Sequence, residues 1–120
     1  MHCKRILLSL MLSLVCPLAA AQRLVTESYD ITIDSRCKEG VVSCNNVRFA
    51  GIERKTGKTL RLKGEDLHTR CADGVTPCRF LGHVFLHGKR RYTVWENGAL
   101  MISQGRKVLL EEQGRWEETP

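Results

Sequence analysis

Cysteine is the residue type whose spacing in this chain could most readily do chemistry. Residues 36–44 read Arg-Cys-Lys-Glu-Gly-Val-Val-Ser-Cys, and residues 70–78 read Arg-Cys-Ala-Asp-Gly-Val-Thr-Pro-Cys. Both stretches follow one pattern, Arg-Cys-x-acid-Gly-Val-x-x-Cys. Cysteines so placed serve as nucleophiles, as zinc ligands or as disulfide partners. Structural zinc sites space their paired ligands about two to four residues apart, whereas six residues separate Cys37 from Cys44 and Cys71 from Cys78. Disulfides are the better fit. If the two stretches are duplicates they should pair alike, either locally (Cys37–Cys44 with Cys71–Cys78) or swapped (Cys37–Cys71 with Cys44–Cys78). Local pairing is the expectation: each bridge closes a small ring, Gly40 and Gly74 supply its turn, and each contributes about 2–3 kcal/mol. Oxidation of all four leaves no thiol nucleophile.

The other reactive side chains form no catalytic constellation in the sequence. His83 and His87 lie four apart on a stretch that reads as a strand, which puts both on one face about 13 Å apart, too far to share a metal. His68 is isolated. Glu65 and Asp66 are adjacent, so a strand sends them to opposite faces and they make a poor acid–base pair. Glu39 and Asp73 occupy equivalent places in the repeated stretches, where they are expected to accept backbone hydrogen bonds or to pair with Arg36 and Arg70. Ser43 and Ser103 lack a glycine-framed nucleophile turn. Lys55-Thr56-Gly57-Lys58-Thr59 lacks the leading glycine and following helix of a phosphate loop and reads as a hairpin turn. No enzymatic activity, cofactor or metal is expected.

The elements that carry these residues are short strands. Leu24 to Asp34 alternates, with Val25, Tyr29, Ile31 and Ile33 on one side and Glu27 the exception, which predicts a half-buried strand. Val47–Arg54, a turn at residues 55–58, and Thr59–Lys63 predict a hairpin. Arg79-Phe80-Leu81-Gly82 then echoes Arg48-Phe49-Ala50-Gly51, and His87-Gly88-Lys89 echoes Thr56-Gly57-Lys58. Residues 36–63 and 70–95 therefore read as an internal repeat. Further strands are expected over 91–95, 99–103 and 107–112, with 113–116 as a short edge strand. Glu65–Thr69 is the best candidate for a single helical turn. Glycines recur about every eight residues from Gly51 to Gly114, as in a sandwich or small barrel. The expected fold is all-β: seven to eight short antiparallel strands in two related halves, stapled by two disulfides.

Only the beginning of the chain carries an address. Lys4 and Arg5 precede an apolar run from Ile6 to Val15, and Pro17 leads to Ala19-Ala20-Ala21, the pattern of a secretory signal peptide cleaved after Ala21. Ten apolar residues are too few for a membrane span, which needs about 20. Cys16 offers a lipoprotein alternative, disfavoured by Val15 before it and Pro17 after it. Cleavage leaves one domain, residues 22–120, in a periplasmic or secreted location whose oxidising conditions suit disulfides. It also removes Lys4 and Arg5, so the net charge falls from +6 to +4.

A moderate positive charge favours anionic partners. The densest basic cluster, Lys89-Arg90-Arg91, precedes Tyr92 and Trp95 at an expected hairpin tip; nucleic acid is not expected in an exported protein. The sequence therefore points to a bacterial-type binding protein, an inhibitor or immunity-type module with one protein partner, acidic by charge. The alternative is an envelope module whose basic tips hold anionic polymers or lipid headgroups. The expected contact residues are Arg70, Asp73, Lys89, Arg90, Arg91 and Tyr92.

Overall fold

The computed structural model describes residues 21–118. The expected leader, including Lys4, Arg5 and Cys16 but not Ala21, lies outside the described residues. The described chain is all-β, with nine strands: β1 (Gln22–Val25), β2 (Tyr29–Ser35), β3 (Val47–Glu53), β4 (Thr59–Arg70), β5 (Pro77–His87), β6 (Arg90–Trp95), β7 (Ala99–Gln104), β8 (Lys107–Gln113) and β9 (Arg115–Glu117). They form one antiparallel sheet in the order β8-β7-β6-β5-β4-β3-β2-β1-β9, nearly closed into a barrel.

The alternation of the sequence sets which face is buried. Ile31 and Ile33 on β2, Val47 and Phe49 on β3, Phe85 on β5, Val94 on β6 and Leu100 on β7 are at most 2% exposed. Intervening residues such as Thr32, Arg48 and Arg91 face outward. Fully burying one such side chain stabilises the fold by about 1.5–3 kcal/mol. Phe49 anchors the interior, its ring centroid 5.0 Å from that of Phe85 and 5.7 Å from that of Tyr92. Gly64 faces this cluster across from Phe85. A Cβ there would collide with the Phe85 ring and the Val84 carbonyl, so glycine is what allows that ring to lie against β4.

Closure depends on the last two strands. β8 pairs with β7, and β9, a single residue later, pairs with β1 at the other edge of the sheet. Gly114 is the corner between them. Its amide donates to the Gly98 carbonyl at 2.8 Å, and a Cβ on it would lie 2.7 Å from Thr26 Cγ2. Glu112 secures the seam by accepting the amide and hydroxyl of Ser28 in the β1–β2 turn. Burial pushes the Glu112 carboxyl up, but the bonds from Ser28 and Thr26 outweigh it and hold the group below the usual carboxylate range.

Three expectations change. The single strand over 24–34 is two strands, because the chain turns at Thr26–Ser28, where the Thr26 amide donates to the Tyr29 carbonyl at 2.8 Å. Glu27, the break in the alternation, marks that turn. Glu65–Thr69 is strand rather than a helical turn, held by β5 on one side. The strand count is nine rather than seven or eight because β1 splits from β2, while β9 is the short edge strand expected near 113–116.

Candidate functional site

Both cysteine stretches connect neighbouring antiparallel strands, the first from β2 to β3 and the second from β4 to β5. The disulfides are local, Cys37–Cys44 and Cys71–Cys78, with Cα–Cα distances of 5.8 and 5.1 Å. These bonds set aside the zinc and swapped readings. At equivalent positions Gly40 and Gly74 take left-handed φ values of 90° and 77°. The valines that follow them are turned to solvent, Val41 48% and Val75 72% exposed.

The second loop stands away from the rest. β3 pairs with β4 only as far as Gly64, and β6 pairs with β5 only from Gly82 onward. Beyond those limits Leu67–Arg70 and Pro77–Phe80 have mainly each other, with register shifts around His68. The result is a two-stranded arm about 13 Å long, with the Cys71–Cys78 bridge across its end. Inside the tip, Asp73 accepts the amides of Val75 and Thr76, each at 2.8 Å, and the Thr76 hydroxyl. These bonds, that of the Thr76 hydroxyl first, hold the Asp73 carboxyl down at about 2. Arg70 donates to the Gly74 carbonyl at 3.4 Å.

The expected role of Asp73 as a backbone acceptor is therefore what the structure shows. Glu39 has no such bonds among the described residues, and Arg36 pairs with Asp34 at 2.9 Å instead.

At the base of the arm lies a cluster that the sequence concealed. Asp66 and His83 are cross-strand partners on β4 and β5. Their side chains are 12% and 9% exposed, and His83 Nδ1–H donates to Asp66 Oδ1 at 2.9 Å. The other Asp66 oxygen accepts the Cys44 amide at 3.0 Å, while the Asp66 amide donates to the Cys44 carbonyl at 2.7 Å. One aspartate thus ties the first disulfide loop to the second arm. Phe80 sits between two imidazoles, its centroid 5.5 Å from His68 and 5.2 Å from His83. Burial lowers the proton affinity of His83, partly offset by Asp66 and reinforced by His68. The Nδ1 of His68 is buried without a hydrogen-bond partner.

A carboxylate that orients an imidazole is one component of acid–base machinery. Here the imidazole meets Phe80 and Phe85, and its hydrogen bond goes to Asp66 alone. Through Asp66 the pair ties the first disulfide loop to the base of the arm. Among the described residues no three His, Cys, Asp or Glu side chains converge as metal ligands would.

The basic cluster at 89–92 divides. Gly88 and Lys89 make the turn, while Arg90 and Arg91 already lie on β6 opposite His87 and Leu86. Tyr92 is 4% exposed and packs on Phe49, so its ring belongs to the core and does not reach the surface. Arg70, Asp73, Lys89 and Arg91 are exposed, but the first two sit on the arm and the last two at another part of the sheet. They do not form one patch.

What sequence reasoning missed was Asp66. The signal was present in the strand pattern: once β4 and β5 are paired so that Phe85 covers Gly64, Asp66 must face His83. Comparison with protein-family models, with curated proteins and with solved structures returns no match for this chain.

Proposed function

We propose that this chain is a secreted or periplasmic binding protein of the inhibitor or immunity type, which docks one protein partner with the disulfide-capped end of the β4–β5 arm. The observation that carries the reading is the construction of that tip. A covalent bridge, the Asp73 bonds and the ladder bond from the Cys71 amide to the Thr76 carbonyl at 2.8 Å fix its backbone. Yet Val75, at its extremity, is 72% exposed. A tip fixed before contact loses little freedom on binding, and that saving appears as affinity. Rigid loops displayed on a scaffold are where proteins place recognition. Arg70 and Arg79 flank the tip and favour a partner with acidic groups around an apolar pocket. Two disulfides are compatible with an oxidising compartment.

The test is a pull-down from native envelope extract with the tagged, oxidised protein, washed at low and then high salt. One protein retained at high salt in near-equal amount, and lost with Val75→Asp, is the expected result. Equal retention by Val75→Asp, or no retained protein, overturns the reading.

A further inference from the structure

The outward side of β3, β4, β5 and β6 carries a feature that the arm does not explain. On this face Arg48 stands directly opposite Lys63, with Asp34 on the other side of Arg48. Arg61 is two residues from Lys63 on the same strand face. Two shallow depressions meet at Lys63. One is lined by Asp34, Arg36, Arg48 and Arg61, and the other holds Glu65, Leu86 and Arg91. Asp34 bonds to Arg36 at 2.9 Å, and Arg48 donates only to the Asn46 side chain at 3.2 Å. Among the described residues Arg48, Arg61, Lys63 and Arg91 have no carboxylate within ion-pair distance.

Five cations against two carboxylates give this one band a net +3, most of the +4 carried by Gln22–Pro120. Like charges directly opposite on neighbouring strands destabilise a sheet. Nothing in the fold requires Arg48 to face Lys63, since both point to solvent. A bound anion would remove that repulsion.

We propose that this outer band is a binding surface for an acidic polysaccharide, with Arg48, Arg61, Lys63 and Arg91 holding its carboxylates and Leu86 lying under its sugar rings. The cations run across the strands rather than surrounding a pocket, and neighbouring strands are about 4.8 Å apart. That linear spacing suits a chain with one charge on each sugar better than a single small anion. Arginine forks also match carboxylates in a bidentate manner. Leu86, opposite Arg91 and 67% exposed, gives the band an apolar floor between its charged members. Phe49 borders one of the depressions, but its ring is buried in the core, so it gives a nucleobase no face to stack on, and such faces are what single-stranded nucleic acid binders use.

The experiment titrates the oxidised protein with polygalacturonate, using neutral dextran as reference and phosphatidylglycerol vesicles as a lipid arm. Binding to polygalacturonate at low ionic strength is expected, weakening steeply above about 0.2 M salt. Lys63→Glu should reduce the affinity about tenfold or more, a change of roughly 1.4 kcal/mol, while its melting temperature holds or rises because Arg48 gains an opposite charge. Arg61→Gln serves as a second variant, with a smaller loss. Val75→Asp, which disables the proposed protein contact, should leave polygalacturonate binding unchanged. Absence of binding, equal binding by wild type and Lys63→Glu, or binding to the vesicles alone would overturn the proposal.

Discussion

The two disulfide loops share a sequence pattern and a ring size, yet they are put to different structural uses. Cys44 is 5% exposed and belongs to the hydrophobic core, and both its amide and its carbonyl are bonded to Asp66. The first bridge is therefore part of the body of the barrel. The second closes the end of an arm, and its loop gets its order from within, through Asp73 and Thr76. Glu39 and Asp73 occupy the same place in the pattern, but only the shorter side chain caps the amides that follow it. Asp readily forms this kind of turn with its own backbone neighbours. One motif thus yields one anchored loop and one self-supporting loop, and the self-supporting one is free to project.

Removing each bridge should expose the difference most strongly. Both join cysteines seven apart, so loop-closure entropy assigns each about 2.5 kcal/mol. Any excess measures packing. Replacing Cys37 and Cys44 by alanine is expected to cost about 3–5 kcal/mol by denaturant unfolding, since it also leaves a core void. Replacing Cys71 and Cys78 should cost no more than that loop-closure share of about 2.5 kcal/mol and loosen mainly the tip, seen as faster amide exchange there. Equal losses would erase the distinction.

Asp66→Ala tests the tie between the loops. It strands the Cys44 amide and the buried His83, and a loss of about 2–4 kcal/mol is expected. The same cluster gives a pH dependence. Burial lowers the His83 proton affinity from its usual 6.5, so the unfolded chain protonates first. Stability is complete above that pH and declines as the solution is acidified below it, until folded His83 itself titrates. Melting temperatures of wild type and His83→Asn across pH 7.5 to 5 should converge on the acid side; parallel curves would remove His83 as the cause. The smaller effects come last. Asp73→Ala should soften the second loop, seen as faster exchange of the Val75 and Thr76 amides that it caps, whereas Glu39→Ala in the first should change nothing measurable. Lys63→Glu is expected to add about 0.2–1 kcal/mol through its new pairing with Arg48.

The fold class was legible because alternation in 29–33, 47–49 and 92–94 leaves little choice of buried face, and regular glycines mark the turns. The local disulfides followed from the repeated pattern. The split at Thr26–Ser28 was hidden because Val25 and Ile31 fit a single alternation with Glu27 its one break, and bonds made elsewhere, such as that from Arg54 to the Thr26 carbonyl at 2.7 Å, add to the local ones that hold the turn. Tyr92 was expected at a surface tip, and core packing won because its ring completes the cluster around Phe49. Asp66 and His83 stand seventeen residues apart, and nothing local joins them. Their meeting depends on strand register, which is set by Gly64 and Phe85 rather than by either residue. The order loop–strand–turn–strand recurs in 36–63 and 70–95, as it does in any antiparallel meander, so the cysteine pattern is what makes those segments alike.

The corner at Gly114 has a consequence for how the molecule comes into being. Of the nine described strands β1 is made first and finds β2 at once, but its other edge waits for β9, made after the other eight. Until then the sheet is an open ribbon with Leu24 and Ile31 uncovered along one margin. The ring can lock only once β9 has emerged, and a chain stalled or truncated before Gly114 would keep a free edge able to pair with a neighbour.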